Sequence, residues 1–272
     1  MPPGRLALYA ATLGVSVVSV MAITGHPPPL VWAVVLLAGY VALVLSGVFV
    51  LRWRVFVDAV VSGPRGTRGV VLTFDDGPDP VWTRRVLDIL DAHGACATFF
   101  VIGHKAERFP DVVRDILARG HTVGVHSYAH DRLFALRSSV RVRADIALAV
   151  DVLERVTGVR PLLFRPPIGH TNPVIARAID ALDLVPVGWT VWGGDACSWA
   201  TPGAVVVRVR RGLRDGAIVA LHDAPERGGR EPVIVRALPS ILDAIAAARF
   251  PIVALGAWME AIGQGGDAGK TT

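Results

Sequence analysis

The residue types that most readily do chemistry fall at a few places in the 272-residue chain. Asp75 and Asp76 stand together in TFDDGP, at the end of an apolar run, and His222 ends another, AIVALH. His126 and His130 lie four apart in HSYAH. Two imidazoles at that spacing share one face of a helical turn, a common way to present two nitrogens to one metal ion. Asp76 would add a carboxylate oxygen, giving a two-histidine, one-carboxylate set with open positions, suited to a divalent ion that holds water. Of two neighbouring acids, one can ligate while the other takes a proton from that water. Each fragment alone has a plainer reading, since Asp-Asp-Gly-Pro is a turn sequence and an isolated HxxxH is more often structural. Their combination points to metal-assisted hydrolysis.

These residues need a scaffold, and the chain after Gly69 reads as alternating strands and helices. Apolar, β-rich runs predict strands at 69–74, 96–102, 121–126, 162–164, 184–191, 217–222 and 251–255. Amphipathic stretches predict helices near 80–92, 110–119, 138–157, 172–182, 203–213 and 232–248. Such alternation argues for a parallel sheet, open or closed into a barrel, with its chemistry at the carboxyl ends of the strands. Asp75, Asp76, His126, His130, Arg165 and His222 all fall at such ends.

Four segments, TFDDGP at 73–78, HSYAH at 126–130, RPPIG at 165–169 and ALHD at 220–223, resemble in order and spacing the motifs of NodB-type polysaccharide deacetylases over about 69–255. The resemblance implies a distorted (β/α) barrel and hydrolysis of an N-acyl group, most often N-acetyl, from an amino sugar of a polymeric or lipid-linked glycan. It also implies a divalent metal, zinc first, with cobalt, manganese or nickel as alternatives. Carried over, it makes Asp76, His126 and His130 the metal ligands and Asp75 the general base. Arg165 would keep Asp75 ionised, and His222 would be the acid that protonates the departing amine. Leu221 would line the slot for the acyl methyl, and Pro166 and Ile168 the pocket wall. Two features depart from the pattern. Ile168 stands where the family usually has Tyr or Phe, and the Asp that supports the acid histidine has no clear match. Asp195, in VGWTVWGGDACSW, is the expected partner of His222, with Trp199 either packed at the rim or stacked on a sugar ring.

Composition assigns the remaining 68 residues. Hydrophobic residues make up 52% of the chain and charged ones 19%, too apolar for an ordinary soluble enzyme. The surplus is local: 6–24 and 30–50 are uncharged and apolar, each long enough to cross a bilayer, with GHPPP between them as a helix stop. They predict a transmembrane helical hairpin over 1–50, Ala10 and Gly14 offering a small-xxx-small pair for close helix approach. The other reading of 1–24 is a cleaved signal peptide followed by one span. Arg5, Arg52, Arg54, Arg65 and Arg68 against Asp58 carry +4 of the formal net charge of +5. A basic juxtamembrane linker over 51–68 is therefore expected, with membrane lipids as partners, then a catalytic domain over 69–258 and a flexible tail over 259–272.

A near-neutral remainder without a nucleic-acid motif argues against nucleic-acid binding. Cys96 reads as core, although a single bridge to Cys197 stays open. His104, His121 and His170 read as surface or loop residues, His93 as a helix end, and RVRRGLR at 208–214 as a solvated helix face or a lipid patch. Oligomeric state has no signature here. The main alternative to an enzyme is a membrane protein that keeps the fold to bind glycan or a partner. By the positive-inside rule both ends and the catalytic domain lie in the cytoplasm, whereas family habit favours the outside. A reporter active on one side only, fused to the C-terminus, is expected to work inside; activity only outside would refute the charge-based orientation.

Overall fold

The computed structural model describes residues 1–225 and 229–259, so the Gly-rich tail from 263 onwards lies outside the described residues. Two long apolar helices open the chain, α1 (Pro3–Ile23) and α2 (Leu30–Phe49), joined through the proline run. Both are long and apolar enough to cross a membrane, and α1 buries no residue against the protein.

Seven parallel strands follow: β1 (Val70–Asp75), β2 (Thr98–Val101), β3 (Thr122–Val125), β4 (Leu163–Phe164), β5 (Val185–Pro186), β6 (Val191–Trp192) and β7 (Ala217–His222). Their order is β5-β4-β3-β2-β1-β7-β6. Helices α3 (Trp82–Ala92), α4 (Gly103–Arg108), α5 (Pro110–Ala118), α6 (Ser139–Thr157), α7 (Pro173–Ala181), α8 (Pro202–Gly212) and α9 (Val233–Ala247) provide the crossovers and flanks. The strands read as continuous apolar runs because both faces are covered. Val70, Leu72 and Phe74 pack in the helix-side core, whereas Val71 joins Phe100, Val187 and Ile218 on the other face.

The strand expected over 184–191 is two short strands on opposite edges of the sheet, and that fact dictates its shape. Laid flat, seven strands at about 4.8 Å spacing would hold those edges about 29 Å apart. The five steps from Pro186 to Val191 span at most about 18 Å. The sheet must therefore curl into a half-barrel with an open seam between β5 and β6. Residues 51–62, expected as part of a linker, cover that seam. Val60 N–H donates to Pro186 O (2.8 Å), Gly188 N–H to Val60 O (2.9 Å), and Leu51, Val55, Val57 and Ala59 are buried.

The seam also ties the apolar helices to the half-barrel. Thr171 N–H donates to Val48 O (3.0 Å) and its hydroxyl to Gly47 O (3.1 Å) at the end of α2, while Arg5 Nε donates to Val55 O (3.3 Å). Phe49 meets His170 edge-on at 4.9 Å.

Other expectations change in detail. The stretch 251–255 contributes a single bridge, Ile252 to Val70, and α4 had no strong apolar period to announce it. His121 is buried, accepting from Ala97 N–H, because it sits where β3 enters the sheet. His93 caps α3, and Cys96 and Cys197 are both free and partly exposed.

Gly124 in β3 shows how tight the interior is. A Cβ there would lie 2.7 Å from Phe100 Cε1 and 3.1 Å from Leu163 Cβ. Gly124→Ala is expected to lower stability by about 1–3 kcal/mol through overpacking, measured by urea unfolding at constant m-value.

Candidate metal centre and its acid–base pair

Strand register decides which side chains meet. In the β1–β7 ladder Thr73 lies opposite Ala220 and Asp75 opposite His222, so the acid and the imidazole are neighbours at adjacent carboxyl ends. Alternation sends Ala220 and His222 to the concave face and Leu221 to the other. The concave face holds a cavity of about 620 Å³ lined by Asp75, Asp76, His126, His130, Ala220 and His222, among others. Leu221 is wholly buried in the helix-side core, so its expected place in the pocket is taken by Ala220. Pro166 is buried outside the lining, while Ile168 stands on the wall, about half exposed, with φ 59°.

Asp76 follows β1 in a left-handed conformation, φ 74°, which turns its side chain away from the strand alternation and toward the histidines. Lys105 Nζ donates to its carbonyl oxygen at 2.7 Å. The segment 126–130 is an irregular turn rather than the expected helical one. Ser127 and His130 both have positive φ, and Ser127 Oγ accepts from His130 N–H at 3.0 Å. Asp145 holds the same turn by accepting from the amides of Tyr128 (2.8 Å) and Ala129 (3.0 Å). The two imidazoles still meet, with ring centroids 5.0 Å apart.

Ligand atoms of Asp76, His126 and His130 all lie within 4.8 Å of one another, and all three residues are buried. Asp76 Oδ1 is 3.2 Å from His130 Nε2 and 3.6 Å from His126 Nε2, yet has no hydrogen-bond partner. A buried carboxylate oxygen in that position is what a cation would satisfy. His126 Nδ1 lies 2.8 Å from Arg165 O, which fixes its proton there and leaves Nε2 with its lone pair toward Asp76. Burial pulls His126 down to about 4 against the pull of Asp75, keeping it neutral and able to ligate. The donor set fits a divalent ion.

Beside this centre lie two ionisable groups pushed in opposite directions. Burial would raise Asp75, but the charge of Arg165, with smaller help from His126 and His222, holds it below the ordinary carboxylate value. Arg165 Nη1 donates to Asp75 Oδ1 (2.7 Å) and to Thr73 Oγ1 (2.8 Å). For His222, burial disfavours the charged form, yet the carboxylate of Asp195, with Asp76 and Asp75 beyond it, pushes it up to about 10. Asp195 is bidentate: Oδ1 faces His222 Nδ1 at 3.0 Å and Oδ2 accepts from His222 N–H at 2.8 Å. Carboxyl and imidazole thus take the states of a base and an acid at neutral pH.

Trp199 is exposed and outside the cavity. Arg208 lies over both its ring (5.3 Å) and that of Trp192 (5.5 Å), while Trp189 and Trp192 are the tryptophans that line the cavity. Sequence reading also missed Ala220, Lys105 and Arg132. Ala220 had a signal, its even spacing from His222 along one strand; Arg132, beside His130, lines the wall with none.

Asp195→Asn removes the charge that raises His222. Its titration, followed by NMR of labelled histidine, is expected to move from about 10 toward the ordinary value of about 6.5. An unmoved midpoint would detach Asp195 from that role.

Comparison with known proteins places this geometry. Residues 62–187 match the family model for polysaccharide deacetylase. Over 182 residues the chain is 37% identical to a peptidoglycan-N-acetylglucosamine deacetylase of Bacillus cereus, covering 66% of this chain and 82% of that one. It is 39% identical over 162 residues to a chitooligosaccharide deacetylase of Bradyrhizobium, covering 58% and 72%. A family 4 acetyl xylan esterase from Clostridium thermocellum, solved with a cobalt ion, superposes with TM-score 0.64 at 34% identity, covering 71% of this chain and 91% of that one. The chain belongs to the polysaccharide deacetylases, hydrolases that remove acetyl groups from carbohydrates.

Proposed function

We propose that the protein is a membrane-anchored, divalent-metal-dependent deacetylase acting on an amino sugar of a polymeric or lipid-linked glycan. The observation that carries this reading is the convergence, in one cavity, of a buried Asp-His-His donor set, an Arg165-held carboxylate and an Asp195-held imidazole. Held by Asp76, His126 and His130, the ion, zinc first among zinc, cobalt, manganese and nickel, would activate water and polarise the acyl carbonyl. Asp75 accepts the proton of the attacking water; Arg165 occupies Oδ1 and keeps the carboxyl ionised. His222, its Nδ1 engaged by Asp195, delivers a proton from Nε2 to the departing amine, which is a poor leaving group until protonated. The N–H groups of Gly169 and His170 close turns on Pro166 O and Pro167 O, so the N–H of Ile168 is the backbone group that would serve as a donor to the carbonyl oxygen, independent of side-chain identity. Ile168, Trp189 and Trp192 provide the apolar surface on which a sugar ring can lie.

Two apolar helices of membrane-spanning length, α2 bonded at its end to Thr171 and α1 through Arg5 to Val55, support anchoring. The clustered arginines after α2 support the cytoplasmic face and hence a lipid-linked substrate. A second reading, an outward-facing enzyme on wall polymer, draws on the Bacillus relative, whose name specifies peptidoglycan. A glycan-binding protein without activity would have no use for the paired base and acid.

Membranes carrying the full chain, incubated with lipid-linked and polymeric N-acetyl sugars, are expected to release acetate and free amines. Chelation should abolish this release, and added zinc or cobalt should restore it. His222→Ala should lower kcat by about 10²–10⁴-fold with bound metal unchanged. Metal-replete protein inert on all these substrates would refute the reading.

A further inference from the structure

A second cavity lies at the opposite end of the half-barrel, where β1 and β7 begin, and it is lined by guanidinium groups. Its volume is about 550 Å³, and Arg52, Arg65, Arg68 and Arg214 all line it. Asp215 is the lone acid among the lining residues, and its Oδ1 is taken by the amide of Gly69 at 2.7 Å. Arg214 donates to Gly212 O at 3.2 Å. Among the described residues, the side chains of Arg52, Arg65 and Arg68 make no hydrogen bond or ion pair. A cavity of this size is within the usual range for small-molecule sites, about 300–1,000 Å³, and four guanidinium groups around it are the donors that recognise phosphate oxygens.

The loop that supplies two of them is held in place. Gly63 N–H donates to Gly216 O (2.9 Å) and Gly216 N–H to Gly69 O (2.9 Å), clasping the loop to the start of β7. Thr67 N–H closes a turn on Pro64 O at 3.1 Å, with Gly66 at φ 82°. None of these residues belongs to the metal centre or its acid–base pair. Their position identifies the ligand: Arg52 comes three residues after Phe49, the last residue of α2, and so one turn beyond an apolar helix of membrane-spanning length. A guanidinium there meets phosphate at the headgroup level.

We infer that this cavity is a binding site for the phosphodiester headgroup of an anionic phospholipid, which would seat the foot of the half-barrel on the bilayer. The inference rests on the membrane-anchored reading above. That anchoring is tested separately by alkaline carbonate extraction of membranes, from which an unanchored chain is released.

The site is tested on the full chain purified in a neutral detergent, by calorimetric titration with dihexanoylphosphatidylglycerol, dihexanoylphosphatidylcholine or inorganic phosphate. The phosphatidylglycerol should bind at one site per chain, about tenfold or more tighter than either other probe. The double variant Arg65→Ala/Arg68→Ala should lose about tenfold or more of that affinity, with its lipid-free unfolding midpoint and its deacetylation of a soluble chitooligosaccharide unchanged. Equal binding of the two lipids, or full affinity in the variant, would overturn the site. Inorganic phosphate bound as tightly as phosphatidylglycerol would overturn the lipid headgroup as its ligand. A chain that resists carbonate extraction and shows no lipid preference refutes the site and leaves anchoring intact.

Discussion

A guanidinium with no access to water holds the middle of this protein together. Arg165 is fully buried, and such a charge is tolerable only when its donors are satisfied. It donates to Thr73 and Asp75 on β1, and to the carbonyls of Val187 (3.3 Å) and Gly188 (3.1 Å) on the segment that crosses the seam. Its plane lies 4.2 Å over Phe100, whose ring has room because residue 124 carries no side chain. The same residue's backbone carbonyl orients His126. One residue thus closes the curled sheet from inside, sets the charge of the carboxyl at 75 and aims a metal ligand.

The electrostatics of the cavity follow from pairing each working group with a partner of opposite charge. Asp75 is buried and would otherwise protonate; Arg165 prevents it. His222 would otherwise lose its proton on burial; Asp195 keeps it. Between them His126 has a carbonyl rather than a carboxylate against its Nδ1, and burial leaves it neutral. Three groups at one cavity therefore hold three states, anion, cation and neutral donor, because their immediate partners differ. The parallel register that sets Asp75 beside His222 puts the first two states in adjacent positions.

Curling the sheet has a further consequence. A half-barrel has a seam, and unpaired strand edges must be covered. Here the covering segment is the chain that leaves α2, so the apolar helices are joined to the half-barrel by buried residues and hydrogen bonds rather than by a flexible tether. Thr171, bonded to the end of α2, is three residues from Ile168 on the cavity wall.

Much of the site is legible in the amino-acid sequence. Asp75, Asp76, His126, His130 and His222 announce themselves as polar residues at the ends of apolar strands, a local pattern that survives whichever way the sheet closes. Most of the strands and crossover helices are legible for the same reason: a short continuous apolar run or a period of 3.6 is written into neighbouring residues. Other features are set by contacts between distant segments. The run 184–191 has strand composition throughout, but only the curl of the sheet splits it between two edges. HSYAH has helical spacing, but the turn is set by Ser127 and by Asp145, fifteen residues beyond its end. Leu221 looks like a pocket residue beside His222, yet strand alternation turns it to the opposite face and gives the wall to Ala220. The sequence by itself determined which chemical groups are present and roughly which strand ends carry them. Tertiary structure alone decided which of them face one another and what charge each holds, because burial and partnership depend on residues far apart in the chain.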